Sequence, residues 1–174
     1  MKKSLCFLAV IVALGAFSLR AALLYEPFDY AAGQLLTTAT PSWYLNGTGD
    51  DTYVVPGSLS IAGLAPSLGN SITNGGAGAA VRIALPSTNS SGSLYYSFAL
   101  RVDDVGSAFT STTSFIAAFV QGASTYGARL MPRRVDDDTY NLGVTKVSAS
   151  AAVWAPDNFA DGQTLFIVGR YTFN

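Results

Sequence analysis

The side chains that could do chemistry in this chain are few and of one kind. Ten of its eleven acidic residues are Asp and the other is Glu26, there is no His, and the single Cys is Cys6, close to the N-terminus. A Ser-His-Asp or Cys-His system therefore lacks its base, and a zinc site built from imidazole and thiolate lacks its ligands. A Ser-Lys pair would rest on Lys146, the one lysine beyond residue 21, at the polar end of a strand-like segment and without an adjacent serine that reads as activated. The run Gly75-Gly76-Ala77-Gly78 lacks the Lys and Ser/Thr that complete a phosphate loop. Nucleophilic and phosphate chemistry are both without residues to carry them.

Two kinds of binding remain open. Calcium takes oxygen ligands, which Asp supplies. Three acidic clusters could contribute: Asp50-Asp51, Asp103-Asp104 and, first among them, Asp136, Asp137 and Asp138. None has the register of an EF-hand loop, and the triplet also reads as a charged hairpin tip that keeps sheet edges from pairing with other molecules. No motif requires a cofactor. Sugars dock on aromatic faces, with Asp, Asn and Arg beside them meeting the hydroxyls. The aromatic candidates are Trp43, Tyr44, Tyr53, Tyr126 and Trp154, which the sequence assigns to loops. Trp43 and Trp154 read equally as plugs of a hydrophobic core. Asn46-Gly47-Thr48 and Asn89-Ser90-Ser91 match the glycosylation sequon, a pattern that arises often by chance in a Ser/Thr-rich chain.

The elements that must position these residues are strands. Apolar residues alternate with period 2, and beyond residue 21 no 3.6-residue stripe competes. In residues 93–103, Leu94, Tyr96, Phe98, Leu100 and Val102 fall on one face, opposite Ser93, Ser97, Arg101 and Asp103, which predicts a half-buried strand. Val81, Ile83 and Leu85 repeat the pattern, as do Tyr140, Leu142 and Val144, with Asn141, Gly143 and Thr145 expected to face outward. Residues 115–120 and 165–168 are apolar on both faces and predict central strands. Pro56-Gly57, Gly75-Gly76, Gln121-Gly122 and Asp161-Gly162 mark turns, and residues 67–78 read as a surface loop. Strands at such spacing suggest a sandwich or barrel.

Lys2 and Lys3 followed by the apolar run 5–19 predict a secretory signal peptide over residues 1–21, removed after Ala21. The run is shorter than the roughly 20 residues of a membrane span. The expected mature chain, 22–174, is one domain with seven basic and eleven acidic residues, a net charge of −4, and no Cys. That balance argues against nucleic acid or an anionic membrane as partner, since either calls for a clustered basic surface. The densest basic spot, Arg133-Arg134, is followed at once by the Asp triplet. About 150 residues bury roughly two-thirds of their unfolded surface, so disulfides are not needed.

The segments "LLYEPFDYAAGQLL", "GSLYYSFALRVDDVG", "GARLMPRR", "YNLGVTK" and "WAPDNFADGQTLFIVGRYTF" resemble secreted bacterial domains of the concanavalin A-like lectin/glucanase group, in particular laminin G-like jelly rolls. The likeness covers nearly the whole mature chain. It implies an all-β, two-sheet antiparallel jelly-roll sandwich preceded by a signal-peptide helix, placed outside the cell, and binding carbohydrate or a surface component. Some relatives cleave glycans with two facing carboxyls, about 5 Å apart in the retaining enzymes. Here the one Glu, Glu26, stands three positions from Asp29, which on a strand means opposite faces. The expectation is a non-catalytic extracellular binding, adhesion or structural module; the alternative is a divergent glycan-active enzyme of the same fold. Residues 165–173 are apolar in the manner of a strand with neighbours on both sides, so the sequence predicts that the domain continues past Asn174 with further closing strands.

Overall fold

The computed structural model describes residues 24–75, 79–106, 114–147 and 151–174. The expected signal peptide, its helix and Cys6 lie outside the described residues, as does most of the Ser/Thr-rich stretch before residue 115. The chain is nearly all β, with antiparallel pairing throughout. A single helical turn, α1 (Leu36–Ala39), precedes β1 (Trp43–Asn46), β2 (Thr52–Val55), β3 (Ser71–Asn74), β4 (Ala80–Ile83) and β5 (Ser93–Arg101). Then follow β6 (Ala117–Gln121), β7 (Thr125–Arg134), β8 (Thr139–Val147), β9 (Val153–Ala160) and β10 (Thr164–Thr172). Among the described residues no helix is long and apolar enough to cross a membrane.

β6 to β9 form a four-stranded meander, and β5 pairs with β10 over nine residues, from Thr164↔Arg101 to Thr172↔Ser93. The two layers meet in a core of Val105, Leu130, Tyr140 and Leu142, against which Phe98, Leu100, Val102, Phe159, Leu165 and Ile167 pack. The alternation in residues 93–103 thus places its apolar face inward, as its period requires. The layers approach closely at Gly127 on β7, where a β-carbon would lie 3.0 Å from the Tyr171 ring of β10; a second glycine meets a ring within the β5–β10 ladder. A β-carbon on Gly169 would overlap the Tyr96 ring, whose hydroxyl crosses to donate to the Ala128 carbonyl at 3.0 Å. Ala128 has φ 48°, inside the stretch where the β6–β7 register shifts. The Tyr96 bond ties this bulge to the facing layer.

Three sequence expectations are corrected. Residues 117–121 form an edge strand, since β6 has only β7 beside it among the described strands. β10 pairs with β5 on one side, and its outward Phe166 and Val168 are 48% and 61% exposed; the second neighbour that the sequence predicts for it lies past Asn174. Apolarity on both faces does not report a strand's neighbours, because hydrogen-bonding partners lie in the sheet plane and side chains point out of it. In β8 the inside-outside reading fails along the strand: Asn141, Gly143 and Thr145 are buried while Val144 is 48% exposed. The stretch 67–78 is not all loop, since Ser71–Asn74 pairs with β2.

Candidate functional site

The aromatic candidates sit on strands, which corrects their assignment to loops: Trp43 and Tyr44 on β1, Tyr53 on β2, Tyr126 on β7 and Trp154 on β9. Strand register therefore decides what each one meets.

Trp43 is held by the lone glutamate. Its indole Nε1 donates to Glu26 Oε2 at 3.0 Å, the Tyr30 hydroxyl donates to the same oxygen at 2.9 Å, and the Phe28 amide donates to Oε1 at 2.8 Å. Phe28, at φ 52°, sets its ring 5.9 Å from the indole. Burial, followed by the Glu26 carboxylate, raises the Tyr30 hydroxyl above its ordinary pKa. With three donors satisfied, Glu26 acts as a clamp for the N-terminal segment.

Tyr44 and Tyr126 come to one place. In the β1–β4 ladder Tyr44 pairs with Arg82, whose guanidinium lies 4.7 Å from the centre of the tyrosine ring. Arg82 donates to the Gly122 carbonyl at 2.7 Å. Asn46, two residues from Tyr44 and so on the same face, donates to the Tyr126 hydroxyl at 3.0 Å and to the Ala123 carbonyl at 3.4 Å. Tyr126 packs against Phe115 with the rings tilted by 50° and their centroids 4.9 Å apart. The β1–β4 ladder thereby docks on the β6–β7 turn and leaves Tyr44 44% exposed beside a guanidinium and an amide. Arg82 Nε is buried and has no hydrogen-bond partner among the described residues. This seam holds an aromatic face and fixed donors. It has no nucleophile paired with a base.

Trp154 stands elsewhere. It pairs with Gly143 and lies against that backbone, where a β-carbon would overlap the ring, and the Arg133 guanidinium sits 4.2 Å from its ring centre. Nearby Asn141 donates to the Ala155 and Asp157 carbonyls at 3.1 and 2.6 Å, and its Oδ1 is buried without a partner among the described residues. Trp154 is thus enclosed by contacts of its own sheet. Tyr53 is exposed on β2, paired with Thr73, apart from the others.

Asp136, Asp137 and Asp138 form the β7–β8 hairpin tip. Arg134 pairs with Asp137, and Asp136 Oδ1 accepts from the Asp138 amide at 3.0 Å. The β9–β10 turn joins them, with the Asp161 amide bonded to the Asp138 carbonyl at 2.9 Å. Burial, then Asp104 and Asp138, hold the Asp161 carboxyl above the usual range; burial, then Asp161, pushes the Tyr140 hydroxyl up to about 12. Among the described residues no three acids are gathered at metal-binding spacing. Asp50-Asp51 lie in the loop before β2, and Asp103 is paired with Arg101 at 2.6 Å.

Sequence reasoning gave Arg82, Arg133 and Asn141 no role in a site. Each matters through a residue across a ladder, 38 positions away for Tyr44 and Arg82, and nothing local in the sequence marks such a pair. Compared with protein family models, curated proteins and solved structures, the chain matches none.

Proposed function

We propose that this chain is a non-catalytic extracellular module, exported by the segment 1–21, that binds carbohydrate or another surface component through the seam around Tyr44. The reading places the two facing layers in a laminin G-like jelly roll of the concanavalin A-like group, on the segments that resemble it. One observation carries the choice of site: the exposed Tyr44 ring beside Arg82, with Asn46 and Tyr126 fixed next to it. An aromatic face offers its C–H-binding surface to a sugar ring, the guanidinium supplies directional donors for hydroxyls, and the Asn46 amide oxygen supplies an acceptor. The absence of His and the full engagement of Glu26 favour binding over cleavage.

The test is a glycan-array screen of the purified protein with and without calcium, repeated with Tyr44→Ala. Binding by the wild type that Tyr44→Ala abolishes supports the reading. Equal binding by both moves the site elsewhere, and release of reducing sugar from a bound glycan replaces the reading with a glycan-active enzyme. No cofactor is required in this proposal; binding that appears only with calcium would add one.

A further inference from the structure

A cleft of about 410 Å³ lies between the β2–β3 ladder, the loop that follows β2 and the end of β5. Alternation along β2 turns Thr52 and Val54 inward, where both are buried, so Tyr53 and Val55 occupy the opposite face. Across the ladder Val55 pairs with Ser71 and Tyr53 with Thr73, which puts the two hydroxyls on that same face. Val55, Ser71 and Thr73 line the cleft together with Ser58 and Leu59 from the loop and Arg101 and Asp103 from the end of β5.

The loop is fixed before any ligand arrives. Ser71 Oγ donates to the Gly57 carbonyl at 2.8 Å, the Gly57 amide donates to Asn70 Oδ1 at 3.0 Å, and Ser58 Oγ donates to the Gly69 carbonyl at 2.9 Å. The two serine hydroxyls spend their protons within the protein and keep oxygen lone pairs as acceptors. Arg101 and Asp103 form a two-point pair, Nε to Oδ1 at 2.6 Å and Nη2 to Oδ2 at 3.1 Å, with side chains 46% and 68% exposed. Such an exposed pair adds little to stability. It engages only part of the guanidinium fork and one lone pair on each carboxylate oxygen, so donors and acceptors stand side by side with no net charge.

We propose that this cleft is a second ligand site, separate from the Tyr44 seam, and that it takes a small neutral polyol the size of a single sugar ring. Its volume lies within the range of about 300–1,000 Å³ typical of small-molecule pockets. Neighbouring hydroxyls of a polyol both donate and accept, which matches the Asp103 oxygens and the remaining Arg101 N–H groups without breaking the pair. An anion would have to face the Asp103 carboxylate, and a zwitterion such as an amino acid would have to split the pair to use both halves. The C–H edges of the same ring rest on Val55 and Leu59. Tyr53, 42% exposed and two residues along the same face as Val55, extends that apolar side. None of Tyr44, Arg82, Asn46 and Tyr126 lines the cleft, so the proposal holds whether or not the seam binds a ligand.

Residue-resolved NMR titration with free glucose, galactose and mannose tests this, since a ligand of one ring is expected to bind with a dissociation constant of millimolar order. At least one of the three is expected to shift the amides of Ser58, Ser71, Thr73 and Asp103 saturably. Sodium glucuronate and glycine are expected to need at least about tenfold higher concentration for the same shifts. Asp103→Ala is expected to weaken the sugar at least about tenfold and Thr73→Val at least about twofold, with the rest of each spectrum unchanged, which also shows that both variants fold. Tyr44→Ala is expected to leave the cleft shifts as they are. The proposal is overturned if no neutral sugar moves these amides, or if glucuronate or glycine moves them at lower concentration than every sugar. It is equally overturned if Asp103→Ala and Thr73→Val both bind as the wild type does, or if Tyr44→Ala abolishes the shifts, because the ligand would then belong to the seam.

Discussion

The two ends of the chain secure their aromatic rings by different means. In the layers formed by β5 to β10, rings lie on glycine: Tyr96 on Gly169, Tyr171 on Gly127 and Trp154 on Gly143, the last with Arg133 over its other side. In the N-terminal ladders they lie on charge, Trp43 on Glu26 and Tyr44 under Arg82. A ring fitted to a missing β-carbon is held by shape, and its loss opens a cavity or forces a clash. A ring held by a charged group keeps part of its surface free and can exchange that group's partner for a ligand. The long-stranded half thus carries the stability, and the half with four-residue strands carries the exposed chemistry.

The contrast is broken most severely at Tyr140, which is fully buried between the two layers. Tyr140→Ala is expected to cost on the order of 3–5 kcal/mol in urea unfolding, as for other large aromatic truncations. Gly169→Val comes next, at about 1–3 kcal/mol, because its side chain meets the Tyr96 ring in a filled interior. In the N-terminal half Glu26→Ala removes the acceptor of three donors and is expected to cost about 1–2 kcal/mol, with a shift of Trp43 fluorescence that a distant change would not produce. Tyr44→Ala sharpens the comparison from the other side. It should leave stability within about 0.5 kcal/mol while abolishing binding on the glycan array.

The smallest expected effect is a gain that depends on pH. The folded protein holds the Asp161 carboxyl above its ordinary pKa, through burial and then Asp104 and Asp138. A carboxyl raised in this way favours the fold while protonated, and that contribution is lost as pH rises through the folded value. Asp161→Asn should therefore unfold at a higher temperature than the wild type near neutral pH, and the difference should vanish below the ordinary carboxylate range. A difference that persists unchanged at low pH would mean the carboxyl's charge is not the cause.

Much of the fold was legible because alternation is local. The inward row of β5 follows from its own residues, and the turns at Gln121-Gly122 and Asp161-Gly162 fall between consecutive strands, β6–β7 and β9–β10. The edge position of β6 among the described strands was not legible, since side-chain polarity says nothing about the in-plane neighbour. β8 misled for a related reason: Asn141 spends its amide on the carbonyls of β9, and Thr145 accepts from Arg129 at 3.1 Å, so polar residues could be buried where alternation placed them outside.

Of the candidate site, the sequence supplied Tyr44 and Tyr126 as aromatic surfaces and left out the groups that give them use. Arg82 reaches Tyr44 only after β1 and β4 pair, and Asn46 reaches Tyr126 across eighty residues of chain. The sequence by itself determined which residue types the chain lacks and which segments extend, because composition and period are properties of neighbouring residues. Tertiary structure alone decided which ring meets which cation and which strands pair, because those depend on the register between segments far apart in the chain.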